Sequence, residues 1–74
     1  MSEDIAALDR EIITLVGRRA AIAGELAGAR ASAGGSRTSL AEENRMIDHY
    51  RHELGRPGVN LALVLLSLSS RRQA

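Results

Sequence analysis

No cysteine occurs among the 74 residues. That absence excludes a disulfide framework, a thiolate nucleophile and a zinc-thiolate centre, and it leaves the redox compartment open. Aromatic residues are almost as scarce, with Tyr50 standing alone. One ring is no platform for stacking nucleobases, and the basic residues are spread along the chain with acids between them, so nucleic acid is not expected as a partner. Lysine is missing too: all ten basic residues are arginine, set against nine acids for a formal net charge of +1. No apolar run approaches the ~20 residues of a bilayer-crossing helix, so no membrane partner is expected. No hydrophobic leader opens the chain, and the expected location is the cytoplasm.

What the chain does hold is aliphatic. Apolar residues make up 45% of it, nearly all Leu, Ile, Val and Ala, a composition suited to helix packing. The stretch Leu8 to Arg30 carries the pattern around which the rest is organised. Together with Ile5, the residues Leu8, Ile12, Leu15, Ile22, Leu26 and Ala29 repeat at three-then-four spacing, one face of a long amphipathic helix. This first helix is expected to begin near Ser2, with Glu3 and Asp4 in its first turn where acids complement the helix dipole, and to run to about Ala33. Gly34 and Gly35 end it.

A helix of about 30 residues spans roughly 45 Å, more than a globule of this size is wide. The remaining residues of one chain cannot cover its stripe. The expected architecture is therefore all-α: a single domain over residues 1–74, three helices with one long, paired with a second copy in an intertwined homodimer.

Ser39-Leu40-Ala41-Glu42 has the S-x-x-E form of a capping box, with Ser39 as N-cap and Glu42 reaching back to its amide. The second helix follows to about Leu54, with Leu40, Met46, Ile47 and Tyr50 as its expected buried side. Gly55-Arg56-Pro57-Gly58 reads as a turn. Asn60 is then a candidate N-cap for a third helix from Leu61 to about Arg72, apolar nearly all round and so expected in the core.

Candidate chemistry is sparse. His49 and His52, beside Asp48 and Glu53, are read as a solvated helix face rather than a metal site. No nucleophile stands with a base. The informative residue is Arg19, a permanent cation on the apolar stripe between Leu15 and Ile22. Either something anionic meets it there, or its long side chain reaches the bundle edge and pairs with an acid. Arg30 lies three turns on, roughly 16 Å along the axis on nearly the same face. Two such side chains, leaning together, could close on one small dianion. An enzyme built from these residues would have to work by placing charges.

The order of Leu8, Asp9, Ile12, Leu15 and Arg19, the Arg19 and Arg30 pair, the Ala33-Gly34-Gly35 linker followed by Arg37, a glutamate early in the second helix, and Ser69 with Gln73 near the end resemble the all-α chorismate mutases, in particular the short actinobacterial members. The resemblance covers practically the whole chain. It implies a helical homodimer with two sites, each turning chorismate into prephenate within the shikimate pathway of aromatic amino-acid biosynthesis. The reaction is a concerted Claisen rearrangement in which the breaking ether oxygen gains negative charge. It needs no cofactor, metal, acid or nucleophile, only preorganised donors and capture of a compact substrate shape.

Position by position, the resemblance assigns Arg19 to a substrate carboxylate and Arg30 to both a carboxylate and the ether oxygen. Gln73 would contact the same ether oxygen, Ser69 a carboxylate, Glu43 the ring hydroxyl at C4, and Ser39 would lie near that hydroxyl. A larger enzyme of the same pathway is implied as a possible activating partner. Two positions depart from the family: Ser2 and Glu42 stand where arginines are usual. These losses leave alternatives open, a weakly active mutase-like regulatory or binding subunit, or a mutase for 4-amino-4-deoxychorismate, whose ammonium group the adjacent acids Glu42 and Glu43 would attract. Without the resemblance, Arg30 and Glu43 read as solvated helix residues, and Ser69 as a hydroxyl bonded back to the preceding turn.

Overall fold

The computed structural model describes residues 3–35 and 39–73, the side chains of 70–73 excepted. Three helices follow in order: α1 over Glu3–Ser32, α2 over Leu40–Leu54 and α3 over Arg56–Gln73. The all-α expectation holds, and α1 at 30 residues sets the molecule's longest dimension of 48 Å. Ser2, the linker Ser36 to Thr38 and the side chain of Gln73 lie outside the described residues.

α1 stops where the sequence placed its end, and the hydrogen bonds say why. Gly34 adopts a φ of 89°, the Gly35 amide donates to the Arg30 carbonyl at 2.8 Å, and the Gly34 amide donates to Ala31 at 3.1 Å. This pair of bonds closes the last carbonyls of the helix and requires a left-handed residue that glycine supplies without strain.

At the other end of the linker Ser39 is the N-cap of α2: its backbone is extended and its Oγ accepts from the Glu42 amide at 3.3 Å. The capping box is only half formed, because the Glu42 carboxylate is engaged elsewhere.

The third helix corrects the sequence expectation. It begins at Arg56, five residues before Leu61, and Asn60 lies inside it rather than capping it. Gly55 alone makes the turn, with a φ of 76° and its amide bonded to the Arg51 carbonyl at 2.8 Å. Pro57 is compatible with the first helical turn, where an amide hydrogen has no partner to lose. Gly58 is needed for a different reason. Any Cβ there would run into the Tyr50 carbonyl, so α3 crosses the end of α2 at backbone contact.

α3 packs against both other helices, and no comparable backbone approach joins α1 to α2 among the described residues. On α1 the buried positions are Ala20 and Gly24, one turn apart, small residues on the helix that packs against α3, and α3 in turn buries Ala62 and Leu65. This face is turned roughly 140° away from the apolar stripe, counting about 100° per residue. The stripe itself is uncovered: Leu8, Ile12, Leu15, Ile22 and Leu26 remain between 50% and 58% exposed. Leu40, expected inside, is also exposed, while Met46, Ile47 and Tyr50 are half-buried. Among the described residues the buried hydrophobic core is thus a small patch of Ala20, Ala62 and Leu65. The reason is geometric, since one 18-residue helix cannot both floor α2 and wrap a helix of 30.

Candidate functional site

The gap between α1 and α2 is bridged by two arginines. Arg19 is half-buried, and its Nη2 donates to the Sδ of Met46 at 3.0 Å. Arg30 Nη2 pairs with Oε2 of Glu42. On α1 these residues stand roughly 16 Å apart, yet their partners Glu42 and Met46 are one turn apart on α2, about 6 Å. The contacts of the two arginines thus fall on one turn of α2. Two cations reaching one short stretch of a facing helix could hold two anionic groups of one small molecule.

The partners differ in kind. A thioether is a weak, uncharged acceptor, so Arg19 has met no carboxylate among the described residues. Its long stem lets it stand within the stripe while its head reaches the gap, which is how a cation on an apolar face is tolerated without a counter-ion. Arg30 does have a counter-ion, but an exposed one: the side chains of Arg30 and Glu42 are 37% and 55% exposed. Pairs in such surroundings are worth about 0.2 to 1 kcal/mol.

The remaining predicted residues are placed as follows. Glu43 is half-buried on the face of α2 that also carries Met46, Ile47 and Tyr50, whereas Glu42 sits on the exposed flank. Of the two adjacent acids, Glu43 is the one turned inward. Ser39 caps α2 beneath them, its Oγ occupied by the Glu42 amide but with acceptor and donor capacity to spare. Ser69 lies on the packed side of α3 one turn beyond Leu65, and its hydroxyl donates to the Leu65 carbonyl at 3.1 Å, the back-bonded state foreseen for it. Contacts join Arg19 to Met46 and Arg30 to Glu42, and among the described residues none ties Ser69 to either pair. Gln73 lies outside the described side chains.

Sequence reasoning read Met46 only as a buried residue of α2, and Glu42 as a capping residue or an acid facing the substrate; it foresaw neither as the partner of an arginine. Both are legible afterwards as an i, i+4 pair on one side of α2, yet nothing in the sequence says which arginine each would meet. His49 and His52 are exposed, and His49 stands edge-on to Tyr50 with ring centroids 6.2 Å apart. A shallow depression of about 500 Å³ lined by Ala7, Arg10, Glu11, Thr14 and Leu15 lies on the N-terminal half of α1 alone. One helix cannot enclose a ligand, and this depression is not where the arginines converge.

Among known proteins, the chain is similar over 72 residues, 97% of its length, to the intracellular chorismate mutase of Mycobacterium bovis and to that of Mycobacterium tuberculosis, at 40% identity in each case and covering 68% of the relative. The intracellular chorismate mutase of Mycolicibacterium smegmatis is 33% identical over 72 residues, again 97% of this chain and 69% of the relative. No family model matches, and no solved structure matches.

Proposed function

The chain belongs to the chorismate mutase family, and we propose that it rearranges chorismate to prephenate as a homodimer acting in aromatic amino-acid biosynthesis. The observation that carries this reading is the convergence of Arg19 and Arg30 on one turn of α2. Chorismate is a dianion, and the rearrangement asks for cations held on a rigid frame rather than for a reactive group.

In this reading Arg19 takes one carboxylate in exchange for the thioether of Met46. Arg30 takes a carboxylate and the ether oxygen, where charge builds as the C–O bond breaks. A guanidinium aimed at that oxygen interacts more strongly with the transition state than with the ground state, which is what acceleration requires. Gln73 is assigned to the same oxygen, Ser69 to a carboxylate after release from Leu65, Glu43 to the C4 hydroxyl and Ser39 to its neighbourhood. The second copy covers the α1 stripe. The relatives' designation as intracellular supports a cytoplasmic setting. A larger enzyme of the pathway is proposed as an activator, because two family arginines are replaced here.

The amino-substrate reading required Glu42 and Glu43 both to face the site. With the Glu42 carboxylate on Arg30, one of those acids is already neutralised. A spectrophotometric assay of chorismate loss, with and without the first enzyme of the pathway, tests the proposal. Absence of turnover under both conditions, together with no binding of chorismate, would end it.

A further inference from the structure

We propose that Glu42 is a resident counter-anion for Arg30, displaced when a substrate carboxylate arrives, and that it thereby sets how readily this chain captures its dianion. The inference rests on the reading of the α1–α2 gap as the chorismate site.

Three observations carry it. First, Glu42 does not spend its carboxylate on the Ser39 amide, although the spacing for that bond is present; it crosses 12 positions of sequence to Arg30. Second, a single oxygen meets a single nitrogen, and both side chains stand substantially in solvent. Such a contact opens without disturbing either helix, because the Ser39 cap is made by the Glu42 backbone amide and not by its side chain. Third, Glu42 offsets positive charge where a dianion would bind. Of the described residues in contact across the gap, Arg19 and Arg30 are cations and Glu42 is an anion, so Glu42 occupies one of the two guanidiniums. Arg30 gains attraction for an arriving anion when Glu42 swings clear.

Glu42 is on this account a residue that tunes capture and takes no part in bond rearrangement. Neutralising it removes a competitor from Arg30 and makes the gap more positive. From the strength of exposed ion pairs and the repulsion of a dianion by a charge under 10 Å away, Glu42→Gln should lower KM about three- to tenfold while kcat moves less than about twofold. Because the gained attraction is electrostatic and solvent-exposed, KM of the variant should also rise more steeply with salt than that of the wild type. Glu42→Ala, which retains no acceptor for Arg30, should show the same split.

The experiment is steady-state kinetics on chorismate for the wild type, Glu42→Gln and Glu42→Ala at low and physiological salt, with calorimetric titration of prephenate as a binding readout independent of turnover. A lowered KM, tighter prephenate binding and a steeper salt dependence support the proposal. If the wild type turns over chorismate but KM is unchanged or higher in both variants, Glu42 is not a competitor. A fall in kcat of more than tenfold at constant KM would likewise overturn it, since Glu42 would then be orienting Arg30 for the reaction. If neither wild type nor variants bind prephenate or consume chorismate, the parent assignment of the gap fails, and this role goes with it.

Discussion

Leu15→Glu should break the proposed dimer. Leu15 sits mid-stripe on α1 with more than half of its surface uncovered in the single chain, flanked at helical spacing by Leu8, Ile12, Ile22 and Leu26 in the same condition. Covering the remaining half of one such side chain stabilises association by about 1 kcal/mol. In an interface with two-fold symmetry each residue counts twice. The substitution removes that gain from both copies and places a carboxylate in a strip where its desolvation costs several kcal/mol unless the charge escapes to the rim. With partial escape the net loss is still about 4 kcal/mol, a weakening of roughly a thousandfold in Kd. Sedimentation velocity at micromolar concentration should give about twice the 7.9 kDa chain mass for the wild type and a single-chain mass for the variant. The wild-type Tm should rise with protein concentration, as it does when folding and association are linked. A stable wild-type monomer with a concentration-independent Tm, or a Leu15→Glu protein that still sediments as a dimer, would refute the inference from helix length and exposed stripe.

Arg30→Ala should lower kcat by two to three powers of ten, the scale of about 3 to 4 kcal/mol for removing a donor aimed at developing charge. Arg19→Ala should act strongly on KM as well, and near wild-type kinetics in both variants would reject their assignment. Gly58→Ala should destabilise by about 1 to 3 kcal/mol or more, because its Cβ meets the Tyr50 carbonyl and α2 and α3 must part; urea unfolding measures this. Ser39→Ala removes the acceptor for the Glu42 amide and should cost about 1 kcal/mol, seen as a Tm lowered by several degrees.

The helix starts and stops that sequence made legible are those with local chemistry behind them. Ser39 caps, Gly34 takes the left-handed turn and Gly55 ends α2, each satisfying backbone groups within a few residues. The beginning of α3 was not legible for a related reason. Gly-Arg-Pro-Gly has the composition of a turn, but Pro57 also suits a first helical turn, and Gly58 is there for the Tyr50 carbonyl, a contact made by tertiary packing. Nor did the period of α1 say which of its faces α3 would choose. The small residues Ala20 and Gly24 took α3 because they permit close approach, and the large aliphatic stripe was left open. In the candidate site, Arg19 was conspicuous as a charge out of place, whereas Met46 and Glu42 acquired meaning only once α2 had folded back across α1.

The position of Arg19 ties the uncovered stripe to the site. It lies on α1 between Leu15 and Ile22, at the angular centre of the residues left bare, so any surface that covers the stripe also borders the Arg19 side chain. Coulomb attraction between a guanidinium and a carboxylate about 4 Å away grows from roughly 1 kcal/mol in water to about 4 kcal/mol where the effective dielectric falls to that of a protein surface cleft. A cation that costs little in the single chain, because its head still reaches solvent and a thioether, would become a more effective anion holder if a second copy excluded water from its flank. For the proposed rearrangement, which needs positioned charge and no reactive group, pairing would supply that gain through Arg19 itself. The feature that leaves one chain with too small a core is thus the one that would strengthen its site on pairing.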